Sequence, residues 1–219
     1  MLAKTVENPM IASAIRAGTM SELHTREGDW AFVDLGFSRD GKTCGFLHEP
    51  ATPTSGTEPA GKALKFGALT KTVVNLARQE GPPLHLVLEA PLSSAFGADG
   101  NPLGRSVEKQ GKTTRYWYVG LGCSVLVASL YLLRAVMDAG PAREVRLFEG
   151  LVSFKDPTKR SDHVADVEAL RTVVWSRGTR GGQFFEPAAL TGHPDALVAP
   201  TLALLGLDTT PPPIIQVTP

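Results

Sequence analysis

Two kinds of hydrophobic pattern alternate along the chain. Two short runs rich in β-branched and aromatic residues, "WAFVDLG" and "KTCGFLHE", flank "FSRDGK", whose Asp-Gly pair is typical of a hairpin turn. They predict two antiparallel strands. The next long segment, "ALKFGALTKTVVNLARQEG", repeats apolar residues about every 3.6 positions and ends at Gly81 before a proline. It therefore predicts an amphipathic helix.

The second half of the chain continues this alternation of strands and helices. The pattern predicts a buried strand at Leu84 to Leu88, a long apolar helix from Tyr116 to about Ala139, and a strand at "EVRLFEGLVSF". The run "SDHVADVEALRTVVWS" predicts a last helix with Ser161 at its N-cap. One more strand is expected in or near residues 50–62. Together these elements predict an α/β fold with a mixed sheet flanked by helices.

The same pattern suggests a division of the chain into three parts. Residues 1–28 are expected to form an N-terminal arm, residues 29–178 the main domain, and residues 179–219 a C-terminal extension. The extension contains a weak helical pattern around Ala196 to Leu204. Its proline-rich end, "TTPPPIIQVTP", is expected to be extended or frayed.

One segment raises the question of a membrane span. Residues 116–133 contain no charged side chain, which reaches the lower limit for crossing a bilayer. Two glycines, two serines and a cysteine interrupt the run, and a strand pattern follows soon after it. We therefore expect a buried core helix, since such helices are also apolar on all sides. Any apolar remainder on its surface would need covering, which makes a homodimer one of the expected assemblies.

Charge and cysteine content narrow the picture only slightly. The chain has 22 basic and 22 acidic residues, so no global field would attract a polyanion. Cys44 and Cys123 lie far apart without a metal-binding spacing, so neither a zinc site nor a disulfide framework is indicated. Reduced thiols and an N-terminal stretch without a secretory pattern lead us to expect a cytoplasmic protein.

Acidic residues recur where the predicted strands end and where the last helix begins. Asp34 lies in the first strand, Glu89 ends the strand after the first long helix, and Glu149 comes late in the next strand. Asp162 and Asp166 are four residues apart and so share one face of the last helix. Parallel strands bring their carboxyl ends to one edge of a sheet, and clustered carboxylates attract hard cations such as Mg²⁺ or Mn²⁺.

The order of these motifs resembles the RNase H-like (retroviral integrase-like) superfamily, and most of all the RuvC-type resolvases and a related group of uncharacterised bacterial proteins. The resemblance covers Trp30 to Ser176, with "FVDLG", "LVLEAPLS", "LFEGLVSF" and "SDHVADVEAL" in the positions of the first, fourth and fifth strands and the last helix. It implies a metal-dependent nuclease that holds two Mg²⁺ ions.

The resemblance also implies roles for individual residues. It assigns metal ligation to Asp34, Glu89 and Asp166, and it leaves either Asp162 or His163 for the remaining helix position. Glu149 matches a glutamate of the uncharacterised relatives.

Several of these assignments have a plainer interpretation. Asp34 is also suited to cap a turn, Asp162 to stabilise the first turn of a helix, and Glu149 to pair with Arg143 or Arg146. His163 by itself is more typical of a surface or packing histidine.

A basic stretch precedes the long apolar helix. We expect its cationic side chains, with the following "YWY", either to contact phosphates and bases or to form a solvated loop; they are Arg105, Lys109, Lys112 and Arg115.

Three classes of function remain open from the sequence. The leading hypothesis is a metal-dependent nuclease acting on DNA or RNA. The second is a non-catalytic protein that uses the same fold to bind a nucleic acid, nucleotide or protein. In the third, "VDLGFSRDGKT" resembles the first phosphate loop of actin-like kinases and ATPases. That class needs a second phosphate loop and a second domain, for which the pattern gives no convincing candidate.

Overall fold

The structure is a computed structural model that describes residues 14–37, 43–52, 58–110, 112–114, 120–152, 162–187, 197–208 and 210–218. The described strands are β1 (Ile15–Ala17), β2 (Asp29–Asp34), β3 (Cys44–Glu49), β4 (Lys62–Leu64), β5 (Leu84–Glu89), β6 (Ser94–Phe96), β7 (Pro102–Leu103), β8 (Lys109–Gln110), β9 (Thr113–Thr114), β10 (Val145–Val152), β11 (Gly182–Phe185), β12 (Leu197–Val198) and β13 (Ile214–Val217). The described α-helices are α1 (Met20–Thr25), α2 (Phe66–Arg78), α3 (Leu121–Asp138), α4 (His163–Trp175) and α5 (Pro200–Leu204). A short 3₁₀ helix spans Ser106–Glu108.

A mixed sheet forms the centre of the molecule, as predicted. Its strands lie in the order β11-β13-β10-β5-β2-β3-β4, and β1 pairs with β10 outside this path. The strands β2, β5 and β10 are parallel neighbours, whereas β3 pairs antiparallel with β2 and β4 antiparallel with β3. The strand expected in or near residues 50–62 is β4, which begins at Lys62. The prediction of an α/β fold with a mixed, helix-flanked sheet is confirmed.

Helices cover both faces of the sheet because its central strands are apolar on both sides. Successive side chains in a strand point to opposite faces, so Phe32 and Val33 enter different cores. Val33 packs in the larger core with α2, α3 and α5. Phe32 packs in the second core with α4 and with Leu23 of α1. The helix α4 therefore lies alone among the longer described helices on its face of the sheet.

Both ends of the described chain complete one edge of the sheet. The strand β1 pairs with residues 145–147 of β10, and β13 pairs with residues 149–152 of the same strand, both in parallel. The proline-rich end is thus extended, as expected, but it is a paired strand rather than a frayed tail. Segments on either side of residues 29–178 therefore contribute strands to the same sheet.

The long apolar helix predicted from Tyr116 is described from Leu121 to Asp138. Residues 115–119 lie outside the described ranges. Leu132, Leu133 and Val136 are fully buried in the core, whereas Tyr131 is largely exposed. Among the described residues, no helix combines the length and the apolar character needed to cross a bilayer.

Candidate metal centre

Two acidic residues meet at the carboxyl ends of neighbouring strands. Asp34 is the last residue of β2 and Glu89 the last of β5, and the two are partners in the parallel register. Register partners point to the same face of a sheet, which here is the face covered by α4. Asp34 is 2% exposed, and Glu89 is half-buried. The two strand-end acids therefore lie in register at the carboxyl ends of neighbouring strands.

The first turn of α4 brings two more side chains close to Asp34. His163 opens this helix, and its Nδ1 lies 2.8 Å from Oδ2 of Asp34. Because an ionised carboxylate can only accept, Nδ1–H donates in this hydrogen bond when Asp34 is charged. Asp166 is buried one turn further along the helix. One donor atom from each of Asp34, His163 and Asp166 lies within 4.8 Å of the others.

Two glycines allow α4 to approach the sheet this closely. Gly45 is the register partner of Asp34 on β3, and a Cβ there would overlap the main-chain carbonyl of His163. A Cβ at Gly36 would overlap the imidazole of His163. The sequence analysis did not single out Gly45, although an isolated glycine within a strand often marks a close approach of another backbone.

The turn after Asp34 is held by side chains that the sequence did not single out. The hydroxyl of Thr43 donates to the carbonyl of Gly36 at 2.6 Å, and the thiol of Cys44 donates to the same oxygen at 3.5 Å. Burial raises the pKa of the Cys44 thiol, and the nearby charge of Asp34 adds to this effect. Cys44 therefore stays protonated and serves as a packing residue beside the site.

Glu89 lies next to this group rather than within it. One of its carboxylate oxygens accepts a long hydrogen bond, 3.4 Å, from the main-chain nitrogen of Val152 on β10. Glu89 is not among the three side chains whose donor atoms meet within 4.8 Å. The structure thus places it on the neighbouring strand, in register with Asp34.

The structure uses Asp162 as the N-cap of α4. Its carboxylate accepts hydrogen bonds from the main-chain nitrogens of Val164 and Ala165, and the residue is exposed. The predicted cap, Ser161, lies outside the described residues. Asp162 thus has the plainer of its two sequence interpretations, and it does not enter the group around Asp34.

Glu149 is the predicted ligand that the structure separates most clearly from the others. Gly150, not Glu149, is the register partner of Glu89, so the Glu149 side chain points to the opposite face of the sheet. One carboxylate oxygen accepts from the main-chain nitrogens of Leu92 and Ser93. The other lies 2.7 Å from a terminal nitrogen of Arg105.

Arg105 was predicted to contact phosphates, but it is fully buried. Its guanidinium pairs with Glu108 as well as Glu149 and donates to the hydroxyl of Ser93 at 2.6 Å. We call Arg105, Glu108 and Glu149 the buried arginine cluster. A guanidinium enclosed in this way cannot reach a phosphate. The structure leaves Lys109 and Lys112 exposed, and Arg115 lies outside the described residues.

Burial and neighbouring charges act in opposite directions on the pKa values of the buried arginine cluster. Burial would lower the pKa of Arg105, but the adjacent Glu149 and Glu108 outweigh this effect and raise it. Burial raises the pKa of Glu108, and the attraction of Arg105 does not cancel that effect. Arg105 is thus permanently charged, and it is the cation around which these two acids are arranged.

The donor set of Asp34, His163 and Asp166 fits a divalent cation. Two carboxylates and an imidazole are ordinary ligands for Mn²⁺ and related ions, whereas Mg²⁺ prefers oxygen ligands only. Comparison of the chain with protein-family models, with curated proteins and with solved structures finds no match. The interpretation of this site therefore depends on its own geometry.

Proposed function

We propose that the protein binds a divalent cation through Asp34, His163 and Asp166 and is a metal-dependent nuclease that hydrolyses phosphodiester bonds of DNA or RNA. The observation that carries the proposal is the convergence of these three donors within 4.8 Å at the carboxyl edge of the sheet. Ligands of open α/β sheets bind at this edge. The phosphodiester substrate comes from the resemblance to RNase H-like proteins.

The strand arrangement supports this proposal. The resemblance implies an aspartate on the first strand, an acid at the end of the fourth, and acids or a histidine on the last helix. In the described sheet, β2 and β5 are parallel neighbours, and Asp34 and Glu89 are in register. The helix α4 places His163 and Asp166 beside Asp34.

The residues of the site would divide the work as follows. Asp34 and Asp166 supply negative charge that favours a cation, and Glu89, the register partner of Asp34, would orient a water or a second ion. A bound ion would lower the pKa of a coordinated water and stabilise charge on the phosphate oxygens. Nδ1 of His163 lies 2.8 Å from Oδ2 of Asp34. Only an unprotonated imidazole nitrogen can ligate a metal, so protonation of His163 would compete with the cation, and cation affinity should increase with pH.

A second candidate function is binding of a nucleic acid or nucleotide without catalysis. The position of Glu89 favours it, because this side chain hydrogen-bonds to Val152 and stays outside the group of three donors. With Glu89 outside the group, a site that holds only one cation would bind phosphate groups more readily than it would cleave them, because a second ion would lack ligands. Catalysis and binding are separated by a cleavage assay.

The test measures metal binding and cleavage in parallel. Isothermal titration with Mn²⁺ at pH 6 and pH 8 should show tighter binding at the higher pH. Asp34→Asn and Asp166→Asn should each weaken that binding by more than about 100-fold, since even outer-shell partners of a metal site are typically worth 10–100-fold. Asp162→Asn is the matched control on the same helix and should leave the affinity unchanged.

Cleavage is then followed with labelled single-stranded, duplex, hybrid and branched oligonucleotides in Mn²⁺ and in Mg²⁺. The nuclease proposal requires metal-stimulated cleavage that Asp34→Asn and Glu89→Gln abolish. Retention of the oligonucleotide without cleavage by the parent protein would support the binding function instead. Metal-stimulated release of phosphate from ATP would favour the actin-like class over both.

A further inference from the structure

Three aromatic rings lead away from the metal centre over the surface. Phe37 follows Gly36, which abuts the imidazole of His163. The ring centroids of Phe37 and Phe66 are 5.8 Å apart, and those of Phe66 and Tyr131 are 5.7 Å apart. We call these three residues the aromatic strip. It connects the turn after β2 with the beginning of α2 and the middle of α3.

Two of the three rings of the aromatic strip are exposed, and the third, Phe66, is partly buried against the larger core. Phe37 is 50% exposed and Tyr131 is 63% exposed. Val127, one turn before Tyr131 on the same face of α3, is also largely exposed. Contiguous exposed apolar side chains of this kind mark a binding surface more often than isolated ones do.

The segment of the chain that includes Phe66 carries only positive charge. From Pro59 to Gln79, the segment that includes Phe66 has no aspartate or glutamate. Its basic side chains are all exposed; they are Lys62, Lys65, Lys71 and Arg78. The first turn of α2 has no acidic residue and no side-chain cap, so its amide groups add to the positive potential.

We propose that the aromatic strip stacks the unpaired bases of a single-stranded nucleic acid, while the neighbouring lysines contact its phosphates. The proposal builds on the proposed function, because Phe37 would lead the bound strand toward the metal centre. Sequence-tolerant proteins for single strands combine these two features, a basic track and exposed aromatic rings. In a duplex the base faces are already stacked, so exposed aromatic rings favour single strands.

Charge also distinguishes this partner from a second copy of the chain. In a two-fold symmetric dimer the same patch contacts itself. Pairing the strip with another strip would bring Lys65 and its basic neighbours close to an identical set of charges. Like charges across an interface oppose association, whereas a polyanion complements them.

The test measures binding separately from cleavage. Fluorescence anisotropy in EDTA is recorded with a labelled oligonucleotide of about 20 nucleotides, longer than the 4–16 nucleotides that one such binding fold usually covers. The same sequence is used as single-stranded DNA, single-stranded RNA and duplex DNA. The variants are Phe37→Ala and Tyr131→Ala. Tyr131→Phe preserves the ring, and Leu103→Ala removes an exposed apolar side chain in β7, outside the strip.

We expect each alanine variant to weaken single-strand binding by about 5- to 150-fold, the range that stacking of one base contributes. Tyr131→Phe and Leu103→Ala should bind like the parent, and the duplex should bind more weakly than either single strand. Mn²⁺ affinity should be unchanged in Tyr131→Ala, which lies away from the metal centre.

Two results would overturn the proposed role of the aromatic strip. One is parent-like single-strand binding by both alanine variants. The other is a parent dimer, detected by sedimentation, that Tyr131→Ala dissociates without changing oligonucleotide affinity. Metal binding and cleavage distinguish failure of this proposal from failure of the proposed function. If the parent binds single strands through the aromatic strip but neither binds Mn²⁺ nor cleaves, only the nuclease proposal is refuted. If the alanine variants bind and cleave like the parent, only the proposed role of the aromatic strip is refuted.

Discussion

The metal centre and the buried arginine cluster share one sequence feature but differ in the partner of their strand-end acid. Both contain an acid near the carboxyl end of a central parallel strand, Asp34 in β2 and Glu149 in β10. Glu149 points to one face of the sheet and finds the guanidinium of Arg105 at 2.7 Å. Asp34 points to the other face and finds His163 at 2.8 Å.

The partner, rather than the acid, decides what a strand-end carboxylate does. Arg105 is always charged and pairs with both Glu149 and Glu108, and burial raises the pKa of Glu108, so the buried arginine cluster needs no outside cation. A histidine beside Asp34 and Asp166 compensates at most one negative charge, and only when it is protonated. The first arrangement stabilises the fold, and the second favours a bound cation. Three substitutions test this contrast, and a fourth, at His85, tests the pH dependence of the sheet between the two regions.

Removal of Arg105 should have the largest effect on stability. Arg105→Met leaves two buried acids, Glu108 and Glu149, without their cation, and breaking such a pair typically costs about 3–5 kcal/mol. Urea denaturation at pH 7 measures the free energy of unfolding. Arg134→Met is the control, because Arg134 forms an exposed pair with Asp138 and should cost less than about 1 kcal/mol. Equal losses in the two variants would contradict the contrast.

The pH dependence of stability should come largely from a residue in neither region. Burial, followed by the nearby charge of Arg146, lowers the pKa of His85 to about 4. The unfolded chain then binds a proton near its ordinary pKa, about 6.5, while the folded one does not. Stability is therefore lost as pH falls from 6.5 toward 4, by about 3 kcal/mol in total.

The variant His85→Phe tests this assignment. It keeps an aromatic ring against Trp30, whose ring stacks on His85 at 4.3 Å, and it removes the titration. Denaturation between pH 4 and pH 8 should give a flatter curve than for the parent. Burial also lowers the pKa of His48, but this residue is present in both proteins. The difference between the two stability curves therefore reports on His85 alone. An unchanged curve would show that the pKa of His85 is the same in the folded and the unfolded chain.

The approach of α4 to the sheet should depend on Gly45. Gly45→Ala places a methyl group against the carbonyl of His163, and overpacking of this kind costs about 1–3 kcal/mol. It should also weaken Mn²⁺ binding, since it displaces His163 from Asp34. The control is Gly67 in α2, where an added Cβ would meet no atom within 4 Å. Gly67→Ala should leave metal binding intact and stabilise the helix by about 0.5–1 kcal/mol.

The smallest effect is expected at the helix cap. Asp162→Ala removes the acceptor for two main-chain nitrogens and should cost about 1 kcal/mol. Mn²⁺ affinity should change far less than in Asp166→Ala, which removes one of the three donors. Titration of both variants makes the comparison. A loss of affinity in Asp162→Ala as large as in Asp166→Ala would show that the exposed acid is a ligand after all.

The individual predictions succeeded or failed according to how far apart their causes lie in the chain. The central strands and the helices α2 and α4 were readable because hydrophobic period and helix-stop signals are local. Glu149 was misplaced because β10 is apolar on both faces, so alternation alone does not say which face the acid takes. Arg105 was misplaced because an arginine in a polar stretch looks exposed until its partners are known.

The sequence by itself determined the alternation of strands and helices and the positions of the acids along them. Spacing of apolar residues is sufficient for this, since it fixes which local structure buries them. Only the tertiary structure decided which acids meet. The register of β2, β5 and β10 and the room left by Gly36 and Gly45 place His163 and Asp166 on Asp34. These are contacts between distant segments, and no local pattern in the chain specifies them.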